Sequence, residues 1–201
     1  MSFNIISQNE EKVSVKLKGI PLQYANALRR ICLNGVPIYA IETVDMLSNT
    51  SILADEGIAH RLGLIPLKTE LSAVQQDNES DKIMLTLDSG IATETRTVLS
   101  GELKSQDNTV KPISDNIPIV TLAPGQDLKF EAHARLGRGT EHAKWNSSNI
   151  AVLLDTKKED EHILTVETTG ALKPGEIILG GINELAKRLE EFKEILANFK
   201  E

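Results

Sequence analysis

The C-terminal stretch LKPGEIILGGINELAKRLEEFKEILANFKE carries an apolar residue at every third or fourth position: Ile178, Ile182, Leu185, Leu189, Phe192, Leu196 and Phe199. Spacings of 4, 3, 4, 3, 4, 3 are the stripe of a helix that packs lengthwise along another helix. Glu184, Lys187, Arg188, Glu190, Glu191, Lys193 and Glu194 fill the flanks. Pro174 stands where a helix tolerates proline best, and some 25 residues at 1.5 Å each span roughly 38 Å. Two packings satisfy the stripe: the chain's own sheet, or a helix of another protein. The length of the seam and the scarcity of other long helical patterns favour a partner. Gly180 and Gly181 each cost about 1 kcal/mol of helix propensity relative to alanine, which predicts a close backbone approach near the helix start.

The other strong helical pattern lies within residues 21–34, opened by Pro21 and closed by Gly35 and Pro37. On a helical wheel Tyr24, Ala25, Ala27, Leu28, Ile31 and Cys32 fill an apolar arc directed to a core. Asn26 and Arg30 lie opposite, and Arg29 stands at the edge. Adjacent guanidinium groups present planar, multi-donor forks suited to carboxylates on another protein. The alternative is a solvated face, or pairing with the chain's own acidic residues, an arrangement that contributes about 0 to 1 kcal/mol per pair.

Around these helices the pattern is β. FNIISQNEEKVSVKLKG reads as a hairpin, with Val13, Val15 and Leu17 alternating against Ser14, Lys16 and Lys18. PIYAIETVDML reads as a strand. From Thr50 to Trp145 come short strand-like runs (IMLTLD, RTVLSGEL, IPIVTL, DLKFEAHA) between polar or Gly/Pro segments. One short helix, DEGIAHRLGLI, has Asp55 as its expected N-cap and Pro66 beyond its end. A second hairpin, IAVLLD and HILTVET around TKKEDE, precedes the last helix. The expected fold is α+β: a discontinuous domain of hairpins plus two helices over 1–49 and 146–201, with an inserted β-rich domain over 50–145.

The charge balance, 22 Lys and Arg against 29 Asp and Glu, gives a net −7, which repels a phosphate backbone, and 3% aromatic residues offer few stacking surfaces. Direct sequence-specific nucleic-acid binding is therefore not expected. A single cysteine, Cys32, excludes an internal disulfide framework and suits a reducing, cytoplasmic setting. No apolar run reaches the ~18 residues of a membrane span, and the N-terminus lacks the basic-then-apolar order of a signal peptide. The expectation is a protein neither secreted nor in a membrane.

Catalytic chemistry finds little support. His60 and Arg61 share a short helix with Asp55 and Glu56, but no nucleophile motif accompanies them. His60, His133, His142 and His162 lack metal-ligand spacing, so no metal site is expected. Arg135, Gly137, Arg138, Gly139, His142 and Lys144 form a basic, glycine-bearing loop outside the strand-to-helix setting of a phosphate loop, and read as a bend.

Three motifs in order, NALRRICLNGVPIYAIETV, LADEGIAHRLGLIPL and GRGTEHAKW, resemble the family of D-type subunits of archaeal DNA-directed RNA polymerase, similar in turn to the N-terminal assembly domain of the bacterial alpha subunit. The likeness runs along nearly the whole chain. It implies a dimerization domain built from both chain ends and a non-catalytic scaffold role. Subunit L is the implied heterodimer partner, and the pair recruits the large catalytic subunits together with small subunits N and P. By the same resemblance Leu28 and Ile31 join the dimer seam, and Asn26, Arg29 and Arg30 lie on the helix that contacts a large subunit. Many family members carry a cysteine-rich insert with iron–sulfur clusters; this chain has one cysteine, so no cluster is expected. The stripe alone does not choose between homodimer and heterodimer, and a free-standing homodimeric ligand-binding module is the rival reading.

Overall fold

The structure is a computed structural model that describes residues 2–70, 82–156, 158 and 160–199. Ten strands and three α-helices are assigned among these residues, all strand pairs running antiparallel. The fold is α+β. It divides into two compact units, Met1–Pro37 with Arg138–Glu201, and Ile38–Gly137.

In the first unit β1 (Ser2–Gln8) and β2 (Lys12–Lys18) form the expected hairpin. Asn9 closes the turn, its Oδ1 accepting from the backbone N–H of Glu11 and Lys12 at 3.0 and 2.6 Å. The second hairpin is β9 (Ser148–Asp155) with β10 (Glu161–Thr168), and the sheet order is β1-β2-β10-β9. Alternation puts Val13, Val15, Leu17, Leu164 and Val166 on one buried face. Helix α1 (Leu22–Asn34) adds Ala25, Leu28, Ile31 and Cys32 to that core. Pro21 sits just outside it, at the N-cap. Gly35 is its C-cap, its N–H donating to the Ile31 carbonyl at 2.8 Å, at a position where a Cβ would lie 2.9 Å from Ile31 Cγ2.

Helix α3 (Pro174–Asn198) begins with Pro174 in its first turn and the Glu176 carboxylate accepting from the Lys173 N–H at 3.0 Å. Its buried residues are Pro174, Ile177, Ile178, Gly180 and Gly181, all in its first eight positions. A Cβ on Gly181 would come within 3.0 Å of Cys32 Sγ and 3.3 Å of Leu28 Cδ1, so this glycine permits the close α1–α3 approach that its position in the sequence predicts. Phe199 falls one residue beyond the helix, at its C-cap, so the stripe outlasts the helix that carries it.

The second unit is built on β3 (Ile38–Asn49), β4 (Ile83–Asp88), β6 (Lys104–Ser105) and β8 (Leu128–Gly137), in order β3-β8-β4-β6, with β5 (Arg96–Leu99) and β7 (Pro118–Leu122) as a separate pair. Phe130, Leu128, Leu85, Ile41, Ile119 and Leu122 lie in one core with Ile58 and Leu62 of α2 (Asp55–Gly63). The units divide at 37/38 and 137/138, not at the expected 49/50 and 145/146. The cause is β3, which pairs with β8 from Ile38 to Asn49 and so belongs to the inserted unit throughout. Asp55 is not the N-cap of α2: Ala54 holds that position, and the Asp55 carboxylate instead accepts from Asn49 Nδ2 at 2.7 Å.

Asp127 ties the end of β3 to the start of β8. Its carboxylate accepts from Ser48 Oγ at 2.6 Å and Thr50 Oγ1 at 2.7 Å, and these hydrogen bonds hold its pKa below the ordinary carboxylate value against the opposing effect of desolvation. A depressed folded-state pKa stabilises the protein above the unfolded value, and that stabilisation is lost as pH falls through the folded one. Asp127→Asn is therefore expected to lower the thermal midpoint at neutral pH and to flatten its decline in the acid range, measured by circular dichroism. An unchanged acid slope would assign the acid sensitivity to other carboxylates.

Candidate partner-binding surface

Among the described residues, the first unit leaves an apolar region uncovered along β1 and the two helices. Phe3 and Ile5 pair in register with Leu17 and Val15 and so share their face, but the strand that carries them is the sheet edge and both side chains are exposed. Between this edge and the two helices runs a groove of about 620 Å³ lined by Phe3, Leu17, Tyr24, Leu28, Ile182 and Leu185, among others. A second hollow of about 170 Å³ adjoins it through Phe3 and Ile182, reaching Ile5, Val15 and Ile178.

The stripe predicted from spacing divides along this surface. Ile178 is buried in the chain's own core, as are Leu28 and Ile31. Leu185 is half-buried. Ile182, Leu189, Phe192, Leu196 and Phe199 are exposed, joined by Ile195 and Leu179, which lie off the predicted stripe. Every residue from Ala186 to Phe199 is exposed, so the distal half of α3 carries an apolar side that no described residue of this chain covers. Tyr24, assigned from the wheel to a core-directed arc, is 56% exposed and lines the groove instead. The arc spans about 160° of helix, more than the sheet beneath it covers. Phe3 and Ile5 are not marked in the sequence because their strand gives no sign that it is an edge.

The two arginines part company. Arg29 is half-buried and engaged within the chain: Nε donates to Asn26 Oδ1 at 2.9 Å and Nη1 to the Ala151 carbonyl of β9 at 3.3 Å. Arg30 is exposed and has no hydrogen bond or ion pair among the described residues, while Asn26 is exposed and bonded to Arg29. The outward guanidinium on α1 is thus that of Arg30.

The remaining chemistry-bearing residues are dispersed. Burial pushes the Cys32 thiol up to about 12, and the side chain only approaches the Ile177 carbonyl at 3.9 Å, so it is an inert core residue. His60 is exposed, His133 pairs with Asp45 at 3.1 Å, His142 Nδ1 accepts from the Lys144 N–H at 3.1 Å, and His162 is buried 3.3 Å from Asp155. Arg135 and Arg138 of the basic loop face Glu42 and Glu184 at 2.7 and 3.5 Å. Among the described residues no group of three or more His, Cys, Asp or Glu is placed to hold a metal, and no helix is long and apolar enough to cross a membrane.

Residues 44–167 match the family model of the RNA polymerase Rpb3/RpoA insert domain, more than half of the chain. Similar curated proteins include DNA-directed RNA polymerase subunit Rpo3 of Pyrococcus furiosus, 48% identical over 151 residues, covering 72% of this chain and 56% of that protein. The Rpo3 subunit of Thermococcus kodakarensis is 45% identical over 150 residues, with the same coverage of 72% and 56%. That of Methanosphaera stadtmanae is 34% identical over 178 residues, covering 80% of this chain and 66% of the relative. The chain thus spans little more than half the length of the first relatives it matches. It belongs to the RNA polymerase Rpb3/RpoA family, alongside the archaeal Rpo3 (D-type) proteins.

Proposed function

We propose that the chain is a non-catalytic assembly subunit of a DNA-directed RNA polymerase in the cytoplasm, pairing with an L-type subunit and recruiting the large catalytic subunits along with N- and P-type small subunits. The observation that carries this reading is the uncovered apolar surface of Phe3, Tyr24, Ile182, Leu189 and Phe192, spread over the groove and the distal half of α3. A contiguous patch of that kind marks an interaction site, and a groove continued by an exposed helix suits a partner that contributes helices of its own. Ile178, Leu28 and Ile31 support the seam from beneath, while Ile182, Leu185, Leu189, Phe192, Leu196 and Phe199 make the contact. Asn26, Arg29 and Arg30 form the address for a large subunit, with Arg30 outward and Arg29 held by the fold.

Native mass spectrometry of the chain alone and mixed with an archaeal L subunit tests the pairing. The expected result is a 1:1 heterodimer. A stable homodimer that refuses the L subunit would favour the rival, a free-standing homodimeric module.

The same reading holds that the chain carries no iron–sulfur cluster, since Cys32 is its one cysteine and is buried. Cluster ligation ordinarily takes four thiolates. Anaerobically purified protein is expected to show no visible charge-transfer absorption, and stoichiometric iron with acid-labile sulfide would overturn the expectation.

A further inference from the structure

The other edge of the same sheet, β9, carries an apolar row on the face away from the helices: Ile150, Val152 and Leu154 are 44%, 41% and 54% exposed. Its backbone groups can be assigned. The Thr156 N–H donates to the Glu161 carbonyl at 3.2 Å, so 156 and 161 form a hydrogen-bonded pair. Bonded and non-bonded pairs alternate in an antiparallel ladder, and the unbroken register from Ile150 to Asp155 makes 155/162, 153/164 and 151/166 the non-bonded ones. The N–H and C=O of Ala151, Leu153 and Asp155 therefore point away from β10, to the open edge. Arg29 Nη1 meets one of them, the Ala151 carbonyl. No proline, lysine or bulge blunts the strand between Ile150 and Asp155, the usual devices that keep an edge from pairing.

We infer that β9 is a self-complementary docking edge, on which a second copy of this chain seats its own β9 antiparallel about a two-fold axis at Leu153. Charge selects this occupant. In that register Leu153 faces Leu153 of the second copy, and Ala151 faces Asp155 of the second copy, as hydrogen-bonded pairs. Directly paired residues point to the same face of a sheet, so each Asp155 carboxylate arrives beside the Arg29 that reaches Ala151. The Asp155 carboxylate stands 3.3 Å from the buried His162 Nδ1, but 73% of its side chain is exposed and open to a second contact. The Ala151 carbonyl exchanges Arg29 for the incoming Asp155 N–H, and Arg29 turns to the carboxylate. On the opposite face Val152 and Leu154 of both copies meet as neighbours across the seam. The contact is isologous and closes on itself, so it yields a dimer and not a fibre. It uses neither the groove nor the terminal helix, and of the residues assigned to polymerase contacts it shares only Arg29.

An edge contact of this size is weak, so the expected dimer is concentration-dependent, with a Kd of the order of 100 µM. Sedimentation equilibrium of the full chain reads it, with Leu189→Asp present in every sample to silence pairing through α3. Asp155→Arg sets guanidinium against guanidinium and is expected to weaken the dimer at least ~10-fold, as is Arg29→Glu, while the double variant restores affinity to within ~3-fold of the starting chain. Val152→Lys, an exposed position on the outer row, is expected to abolish pairing with an unchanged circular dichroism spectrum, which guards against misfolding of the arginine variant. A chain that stays monomeric throughout overturns the inference. So does a dimer indifferent to Val152→Lys, or a charge swap that fails to restore pairing between folded chains.

Discussion

Leu189→Asp is expected to abolish pairing with an L-type subunit while leaving the chain itself folded. Leu189 sits in the distal half of α3 with half of its surface in water, so the lone chain has little to lose there. In a closed seam the same position is desolvated, and a carboxylate with no partner then costs several kcal/mol, comparable to a whole modest interface. Titration calorimetry against the L subunit is expected to show at least a ~100-fold loss of affinity, with the far-ultraviolet spectrum unchanged. Ile178→Asp makes the contrast. Ile178 is 3% exposed within its own unit, so a charge there is expected to unfold the chain before any pairing is measured. If Leu189→Asp binds the L subunit as well as the unmodified chain does, the distal helix is not the seam.

That contrast shows what a periodic stripe encodes. The hairpins and helices were legible because alternation and the 3.6-residue period are local: Val13, Val15 and Leu17 declare their strand, and the positions from Ile178 to Leu196 declare their helix. Whether an apolar position is covered by its own chain or by another depends on where the sheet ends, which is set by pairing between distant segments. Ile178 and Leu189 belong to the same stripe, yet one meets the chain's own core and the other meets solvent. Phe3 and Ile5 face the groove because the order β1-β2-β10-β9 leaves their strand at the edge. Asp55 had the composition of a cap, but Asn49 claims its carboxylate and the helix starts from Ala54. The division of the chain moved for the same kind of reason, since β3 finds its partner in β8, far along the sequence.

The doubled arginine of α1 was legible as a feature, and its division of labour was not. Arg29 and Arg30 differ by 100° around the helix, which turns Arg29 toward β9 and leaves Arg30 outward. Changing both to Glu is expected to leave pairing with the L subunit nearly intact and to weaken capture of a large catalytic subunit at least ~30-fold, because losing a desolvated charge pair at an interface costs about 2 to 5 kcal/mol and reversal adds repulsion. Arg30→Glu alone is expected to account for most of the loss, since Arg30 is exposed and has no bond among the described residues to give up. A net charge of −7 makes one outward guanidinium a selective address for carboxylates, and raising salt is expected to narrow the difference between variant and unmodified chain. The measurement is a pull-down of the large subunit by the pre-formed pair, titrated against salt. Capture equal to that of the unmodified pair would make Arg30 a solvated surface residue, and loss of L pairing before loss of capture would move Arg29 into the dimer seam.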